Sequence, residues 1–353
     1  MYKLQDLNVF IDLSTYCNAG CPQCHRTDPN GLGKIGWVPL IQWSLEEFKT
    51  AFTPDTMEYC SILNICGTWG DPIMNKDIDK IIAYIIDNSS CRVSLDTNGS
   101  IRDEQWWWEL GMKAGKRLEV HFAVDGYTQE MHEKYRRFTS LQKVLDNMNA
   151  LSETKSWCVA QTIQFKHNQD HVDTIKDLCF KYGAKHHRIV QSDRFYITNE
   201  HQSDTIDHFI NEHGEPDYLE RATIDPPNAN ISGTDGKKYL DGNISCRWQK
   251  ENKVFVNIDG QVLPCCWIGN NYYAKKFNKD QFKKFASHPV IKNYYDTLDQ
   301  NNIFKKSLIE ILETSNWFTK LLPTSWSDPA SAPRPCQRNC SNLIRTKHQL
   351  QGF

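Results

Sequence analysis

The chain has 353 residues, of which 39% are hydrophobic and 24% charged, with a formal net charge of −2. That is room for one large domain plus a smaller one, in an ordinary globular balance. A mean hydropathy of −0.61 and apolar runs no longer than residues 81–86 leave no membrane-spanning helix. The N-terminal stretch has no apolar signal core, and the near-neutral charge argues against a general nucleic-acid binder. A cytoplasmic location is expected, and in that compartment thirteen cysteines point to metal ligation rather than disulfides.

From residue 8 to about 195 strand-like and helix-like segments alternate. Residues 8–13 predict a short apolar strand running into a cysteine loop. Residues 45–52 have helical spacing, and 61–65 predict a strand. Residues 76–87 predict a helix with Ile78, Ile81, Ile82, Ile85 and Ile86 on its apolar stripe. A strand at 92–95 leads to the Thr97-Asn98-Gly99 turn. Helices at 104–114, 141–151 and 171–182 then alternate with strands at 118–124, 158–165 and 186–190. Six such units imply an α/β fold with a parallel sheet, open or curled into a partial (β/α)6 barrel. The ligand site of such a fold lies at the C-terminal strand ends, where the cysteine loop, residues 67–72 and the 97–99 turn fall.

Residues 1–195 therefore read as the barrel. Residues 196–245 are polar, carry Pro216, Pro226 and Pro227, and read as a connecting segment. Residues 246–353 open on a β-hairpin: a strand at 253–258, a turn at Asp259-Gly260 and a second strand at 262–263. Helices are expected at 280–285 and 307–318, followed by a Pro- and Ser-rich stretch at 323–335. The isolated Cys60, Cys66, Cys91, Cys158 and Cys179 sit in apolar surroundings and read as small core residues.

Cys17, Cys21 and Cys24 form a C-x3-C-x2-C loop. Three thiolates at this spacing can hold three irons of one [4Fe–4S] cube and leave the fourth without a protein ligand, which makes it a reaction site as an open position on zinc is. Thirteen cysteines scattered at random over this length would give the spacing roughly 0.02 times, so the signal is specific. A zinc site or three buried thiols are the plainer alternatives.

NVFIDLSTYCNAGCPQCHR resembles the first strand and loop of radical S-adenosylmethionine (SAM) enzymes, and the downstream segments match in order. LNICGTWGDPIM is similar to the second-strand Gly-Gly-Glu-Pro motif, where backbone carbonyls receive the SAM amino group. VSLDTNGS is similar to the third-strand segment ending in Thr-Asn-Gly, and LEVHFAVDGYTQEMHEKYR to a Ser-x-Asp-Gly followed by His-x-x-x-Arg. The resemblance covers about residues 8–195. It implies that Gly70, Asp71, Pro72, Asn98, Ala123 and Arg136 occupy the SAM-contacting positions, with Arg136 on the SAM carboxylate. Alone, each of these motifs reads as a turn or a solvated charge; their order behind the cysteines gives them weight. Gln23 stands where the family usually has an aromatic residue, and Ala123 where it has serine.

Cys246, thirteen residues, Gly260, four residues and Cys265 resemble the opening of the SPASM and twitch domains attached to such barrels. Only Cys336-x3-Cys340 follows, so the resemblance implies a small α+β twitch domain with one auxiliary [4Fe–4S] cluster on Cys246, Cys265, Cys336 and Cys340. A structural zinc on the same four remains open, although zinc sites more often show a short cysteine pair at both ends. Cys266, on the opposite face of an extended strand from Cys265, is expected to be a buried thiol.

Trp106-Trp107-Trp108 cannot share one helix face, so at least one is expected to be exposed. His186, His187 and Arg188 open the last barrel strand, away from the ligand rim. Gln161 and Gln164 are candidates to point into the barrel. No catalytic acid or base is singled out.

The expected activity is reductive SAM cleavage and hydrogen abstraction from a peptide or small molecule. The auxiliary cluster would relay an electron, and a flavodoxin or ferredoxin would serve as donor. The short lead before the first strand leaves no room for a peptide-recognition domain, so a peptide substrate would need a separate delivery protein. The rival readings are a non-catalytic iron–sulfur carrier or scaffold on the same barrel and an RNA-modifying radical SAM enzyme.

Overall fold

A computed structural model describes residues 2–28, 31–192, 194–196, 205–224, 244–276 and 280–341. In chain order the barrel region runs β1 (Leu7–Asp12), α1 (Leu45–Ala51), α2 (Pro54–Glu58), β2 (Cys60–Cys66), α3 (Ile78–Asn88), β3 (Arg92–Thr97), α4 (Glu104–Ala114), β4 (Leu118–Ala123), α5 (Gln129–Glu133), α6 (Leu141–Ser152), β5 (Trp157–Gln164), α7 (Val172–Lys181) and β6 (His186–Gln191). Every predicted strand and helix of this region is present, with ends within two residues of the expectation.

Local chemistry explains the starts. Ser44 and Glu47 form a reciprocal capping box at α1, and Asp103, Thr128 and Ser140 cap α4, α5 and α6 through their side chains. In α3, Ile78, Ile81, Ile82 and Ile85 lie on one stripe and are fully buried, each contributing about 1.5–3 kcal/mol of transfer free energy. In α4, Trp107 is buried against Phe122, with ring centroids 4.9 Å apart, whereas Trp108 is exposed.

Strands β1 to β6 pair in parallel and in sequence order. Alternate residues divide the sheet into two faces. Val93, Leu95, Val120, Phe122, Cys158 and Ala160 pack in the apolar core with the helices. The opposite face carries Ser94, Asp96, Glu119, His121, Gln161 and Arg188, all part-exposed. Gln161 thus lies on the polar face, while Gln164 falls on the other side and is buried. Cys60, Cys66, Cys91, Cys158 and Cys179 are all buried free thiols.

The C-terminal region continues this sheet. It comprises α8 (Arg247–Lys250), β9 (Lys253–Val256), β10 (Val262–Leu263), α9 (Cys266–Asn270), α10 (Asp280–Ser287), α11 (Pro289–Asp296), α12 (Leu308–Thr314), α13 (Leu322–Ser325) and α14 (Arg334–Cys340). β9 and β10 form the predicted hairpin, with Gly260 at φ 76° in the turn. β9 adds in parallel to the free edge of β1, which gives an eight-stranded sheet of order β10-β9-β1-β2-β3-β4-β5-β6.

Two expectations need correction. The segment read as a plain connector contains an antiparallel hairpin, β7 (Ile206–Ile210) with β8 (Pro216–Glu220). Its signal, Ile206 and Phe209-Ile210 before Asn211 and Gly214 (φ 84°), was hidden among polar residues; Pro226 and Pro227 lie outside the described residues. Cys266 is not on a strand: β10 ends at Leu263, Pro264 lacks the donor to extend the ladder, and Cys265 stands immediately before α9, whose first residue is Cys266. Cys266 is buried, as expected. Among the described residues, no helix is long and apolar enough to cross a membrane.

Candidate cluster and cosubstrate site

The cysteine loop leaves β1 directly and lies across the C-terminal ends of β2, β3 and β4. Its path is fixed by backbone contacts that tolerate only small residues. A Cβ on Gly70 would sit 2.3 Å from Ser14 O and 2.7 Å from Tyr16 O, and the Asp71 amide donates to Tyr16 O at 2.7 Å. The 67–72 loop is therefore in van der Waals contact with the limb that carries Cys17.

Asp71 is buried, and its carboxylate gathers donors from two segments: Thr97 Oγ1 at 2.9 Å, the Asn98 amide at 2.7 Å, Asn98 Nδ2 at 2.6 Å and the Ile73 amide at 3.2 Å. Burial raises its pKa, and these bonds oppose the rise. Asn98 Nδ2 also donates to Asn18 Oδ1 at 2.9 Å and lies 4.0 Å from Cys17 Sγ, and Asn18 Nδ2 donates to Ser100 Oγ at 2.8 Å. Gly99 turns the chain at φ 74°. Pro72 opens a single 3-10 turn that Asp71 caps.

From the other side comes Arg136. Its Nε donates to Asp125 Oδ2 at 2.5 Å, and a terminal nitrogen lies 3.7 Å from Cys21 Sγ. Asp125, fully buried, also accepts from the Ile163 amide at 2.5 Å. His132, one turn before Arg136, accepts from the Asp125 amide through Nδ1 at 3.2 Å, and its Nε2 lies 3.0 Å from Thr139 Oγ1. Burial and then Arg136 hold His132 near pKa 3, so it is a neutral spacer. Ala123, the last residue of β4, is buried opposite Gln161.

Gln23 explains its departure from the usual aromatic. It is 1% exposed; its Oε1 accepts from Ser192 Oγ at 2.6 Å, and its carbonyl accepts from Arg194 at 3.1 Å. An amide at this position ties the cysteine loop to the segment after β6.

Cys17, Cys21 and Cys24 are free thiols. Burial, then the Asp71 carboxylate, pushes Cys17 up; burial pushes Cys21 up against the pull of Arg136. Such thiols become thiolates only when a metal neutralises them. In the C-terminal region the Cys246 sulfur caps α8, Cys265 stands immediately before α9 without a side-chain cap, and Cys336 and Cys340 share one face of α14. The Ser245 amide donates to Cys340 O at 2.9 Å, which closes the two ends of the set. Cys340 and burial raise Cys246, and burial raises Cys265 and takes Cys336 to about 12.

Sulfurs around a single tetrahedral zinc stand about 3.8 Å apart. Among the described residues, the one trio of metal-capable side chains within 4.8 Å of one another is Glu133, Glu212 and His213. Neither cysteine set brings three sulfurs within 4.8 Å of one another.

All six residues expected at the SAM position thus lie at this rim. Thr97 and Asp125, which the motifs contained without assigning them a role, and Asn18, which the sequence reading did not single out, do much of the holding. Asp125 could have been found, because the Asp-Gly pair stands seven residues before His132.

The family model described as the Radical SAM superfamily matches residues 11–179. A probable GTP 3′,8-cyclase from Methanocaldococcus jannaschii is 23% identical over 173 residues, covering 48% of this chain and 54% of that protein; the chain thus matches about half the length of this curated relative. Among solved structures, Streptococcus suis SuiB aligns with a TM-score of 0.58 at 12% identity over 98% of this chain and 75% of that one. Native anSMEcpe with AdoMet bound aligns with a TM-score of 0.55 at 15% identity over 98% and 92%. The family model thus matches just under half of the chain, over the stretch that carries the ordered motifs, and the solved structures share its fold.

Proposed function

We propose that this chain cleaves S-adenosylmethionine reductively and abstracts hydrogen from a peptide or small-molecule substrate, with an auxiliary [4Fe–4S] cluster in the C-terminal region relaying an electron. One observation carries the reading: Cys17, Cys21 and Cys24 share the strand-end rim with Asp71, Asn98 and Arg136, which approach from three different strands. A [4Fe–4S] cluster on those three cysteines would supply the electron that splits SAM into methionine and a 5′-deoxyadenosyl radical.

The chain's own residues hold and orient. The Asp71 carboxylate is consumed in tying the second loop to the third turn, which leaves the backbone of Gly70, Asp71 and Pro72 to meet an amino group. Asp125 takes Nε of Arg136 and leaves the terminal nitrogens on the cysteine-loop side for a carboxylate, a bidentate partner of the right shape. Ala123 and the buried Gln23 contribute surface without charge. Cys246, Cys265, Cys336 and Cys340 would hold the second cluster in a twitch-like domain, and a site with four protein ligands suits electron relay better than substrate binding. A flavodoxin or ferredoxin would deliver electrons, and a peptide substrate would arrive on a separate delivery protein. The cyclase relative matches over about half of each chain, and its substrate is not carried over.

The test is anaerobic reconstitution with iron and sulfide, reduction, addition of SAM and measurement of 5′-deoxyadenosine, with Cys17→Ala as the blank. No 5′-deoxyadenosine from protein with its cluster confirmed would sink the reading in favour of an electron carrier. Iron near eight per chain is expected for two clusters; a plateau near four would reject the auxiliary one.

A further inference from the structure

The β7–β8 hairpin is not part of the barrel sheet. It forms a two-stranded sheet of its own, a structure that is marginal in water unless it packs on something. Successive side chains of a strand point to opposite faces. His208 and Tyr218 are exposed, whereas Phe209 and Leu219 are buried. This buried pair packs with Ala19, Cys21, Tyr135 and Phe165 in an apolar cluster separate from the main core, and Cys17 and Cys24 lie against that cluster. The hairpin therefore leans on the loop that carries the three cysteines. Arg137, itself buried, joins the two. Its Nε donates to Gly20 O, between Cys17 and Cys21, at 2.5 Å, and a terminal nitrogen donates to Ile210 O in β7. The guanidinium carbon stands 5.6 Å from the centroid of the Phe209 ring. At the margins of the hairpin the Phe138 amide donates to Glu212 Oε2 at 2.7 Å, Lys134 pairs with Asp217 at 3.1 Å, and the Lys166 amide donates to Glu220 O at 2.9 Å.

Resting on the reading of a [4Fe–4S] cluster at Cys17, Cys21 and Cys24, we infer that the β7–β8 hairpin is a roof that keeps water and dioxygen off that cluster, and that Arg137 is the positioning residue that latches the roof to the cysteine loop. Asn98 and Arg136 bring polar groups to Cys17 and Cys21, which suits a charged cosubstrate. Phe209 and Leu219 bring hydrocarbon alone. An apolar shell beside a metal centre controls solvent access and local dielectric, and with them the reduction potential. A cluster gains negative charge on reduction, so dry surroundings disfavour its reduced form. The latch suits arginine: its rigid planar fork presents donors at separate positions and holds two carbonyls at once, which the single ammonium of lysine does not match.

The experiment compares the reconstituted full chain as wild type, Phe209→Ala, Arg137→Lys and His208→Ala. Each is taken through an anaerobic redox titration followed by electron paramagnetic resonance, and through a timed exposure to air followed by the same signal. The signal that changes on addition of SAM marks the three-cysteine cluster, and any second signal is the internal control. Phe209→Ala opens the roof and leaves every charge in place, Arg137→Lys keeps the charge and loses the fork, and His208→Ala alters only the outward face. The expected result is a less negative potential and a several-fold faster loss in air for the SAM-responsive cluster in Phe209→Ala and Arg137→Lys, with His208→Ala and the second signal unchanged. Phe209→Leu takes the place of Phe209→Ala if the latter loses iron. Wild-type potential and wild-type loss in air for the Phe209 variant would overturn the roof, and the same for Arg137→Lys would overturn the latch. An equal change in His208→Ala would overturn both, since the hairpin would then act through its stability alone. A wild type that carries iron but shows no SAM-responsive signal would overturn the cluster reading itself, and this inference with it.

Discussion

Asp12 closes β1 just below the cysteine loop and is 1% exposed. Its Oδ1 accepts from the Thr68 amide at 2.9 Å and lies 3.6 Å from the Cys66 thiol, while Oδ2 finds no partner among the described residues. Burial lifts its pKa from 3.8 to about 7 despite the bonds from Thr68. A carboxyl raised on folding binds its proton more tightly in the native state. Its contribution to stability is therefore complete below pH 3.8 and is lost as pH climbs through about 7. Between pH 6 and pH 8 the loss is about 1.4 kcal/mol, a tenfold change in the folding equilibrium. Asp12→Asn has no proton to lose and keeps the acceptor for Thr68. Urea unfolding of wild type and Asp12→Asn at pH 6, 7 and 8, read by tryptophan fluorescence, isolates this slope from that of every other group. The variant is expected to gain about 1.4 kcal/mol on the wild type across the window. Parallel pH profiles would refute the reasoning, since they would mean that water or an ion already compensates the second oxygen.

Two further outcomes follow from the polar face and the rim. His121 lies between Asp96 (2.8 Å) and Glu119 (2.7 Å); burial lowers its pKa, but those two bonds prevail and hold it near 9. Its stabilising share is present below pH 6.5 and fades as pH passes 9, so His121→Gln is expected to cost about 3 kcal/mol at pH 6.5 and little at pH 10 in thermal or urea unfolding. Arg136→Gln leaves the carboxylate of Asp125 buried without its cation, at a cost of about 3–5 kcal/mol; the double variant Arg136→Gln with Asp125→Asn removes both charges and should recover part of that stability relative to Arg136→Gln alone, measured by the same unfolding.

The barrel was legible because its helices and strands carry opposite periodicities. The isoleucine stripe of α3 and the alternation in β3 and β4 each leave one way to bury apolar area, and the structure takes it. The ordered motifs were legible as chemistry, but their mechanics were not. The motif reading gave this position to backbone carbonyls, yet the Asp71 carboxylate ties its loop to Thr97 and Asn98, 26 and 27 residues on in sequence. Gln23 read only as a departure from the usual aromatic, and it is a tie to Ser192. The β7–β8 hairpin and the helical start at Cys266 were missed for a common reason. Both depend on where a short ladder stops, which a proline or a turn decides locally and no long period announces.

These ties bear on how a cluster would be received. In a zinc-finger peptide the ligands converge only when the metal arrives, and binding energy is spent on folding. Here the limb bearing Cys17 is fixed by Gly70 and Asp71, its Asn18 by Asn98 and Ser100, and Gln23 by Ser192 and Arg194. The carbonyl of Gly20 accepts from Nε of Arg137 at 2.5 Å, and the Gly20 amide donates to the Arg137 carbonyl at 3.2 Å. None of these bonds uses a cysteine sulfur as its anchor. The loop is thus shaped by its neighbours before any iron is present, and little ordering cost is left for the cluster to meet.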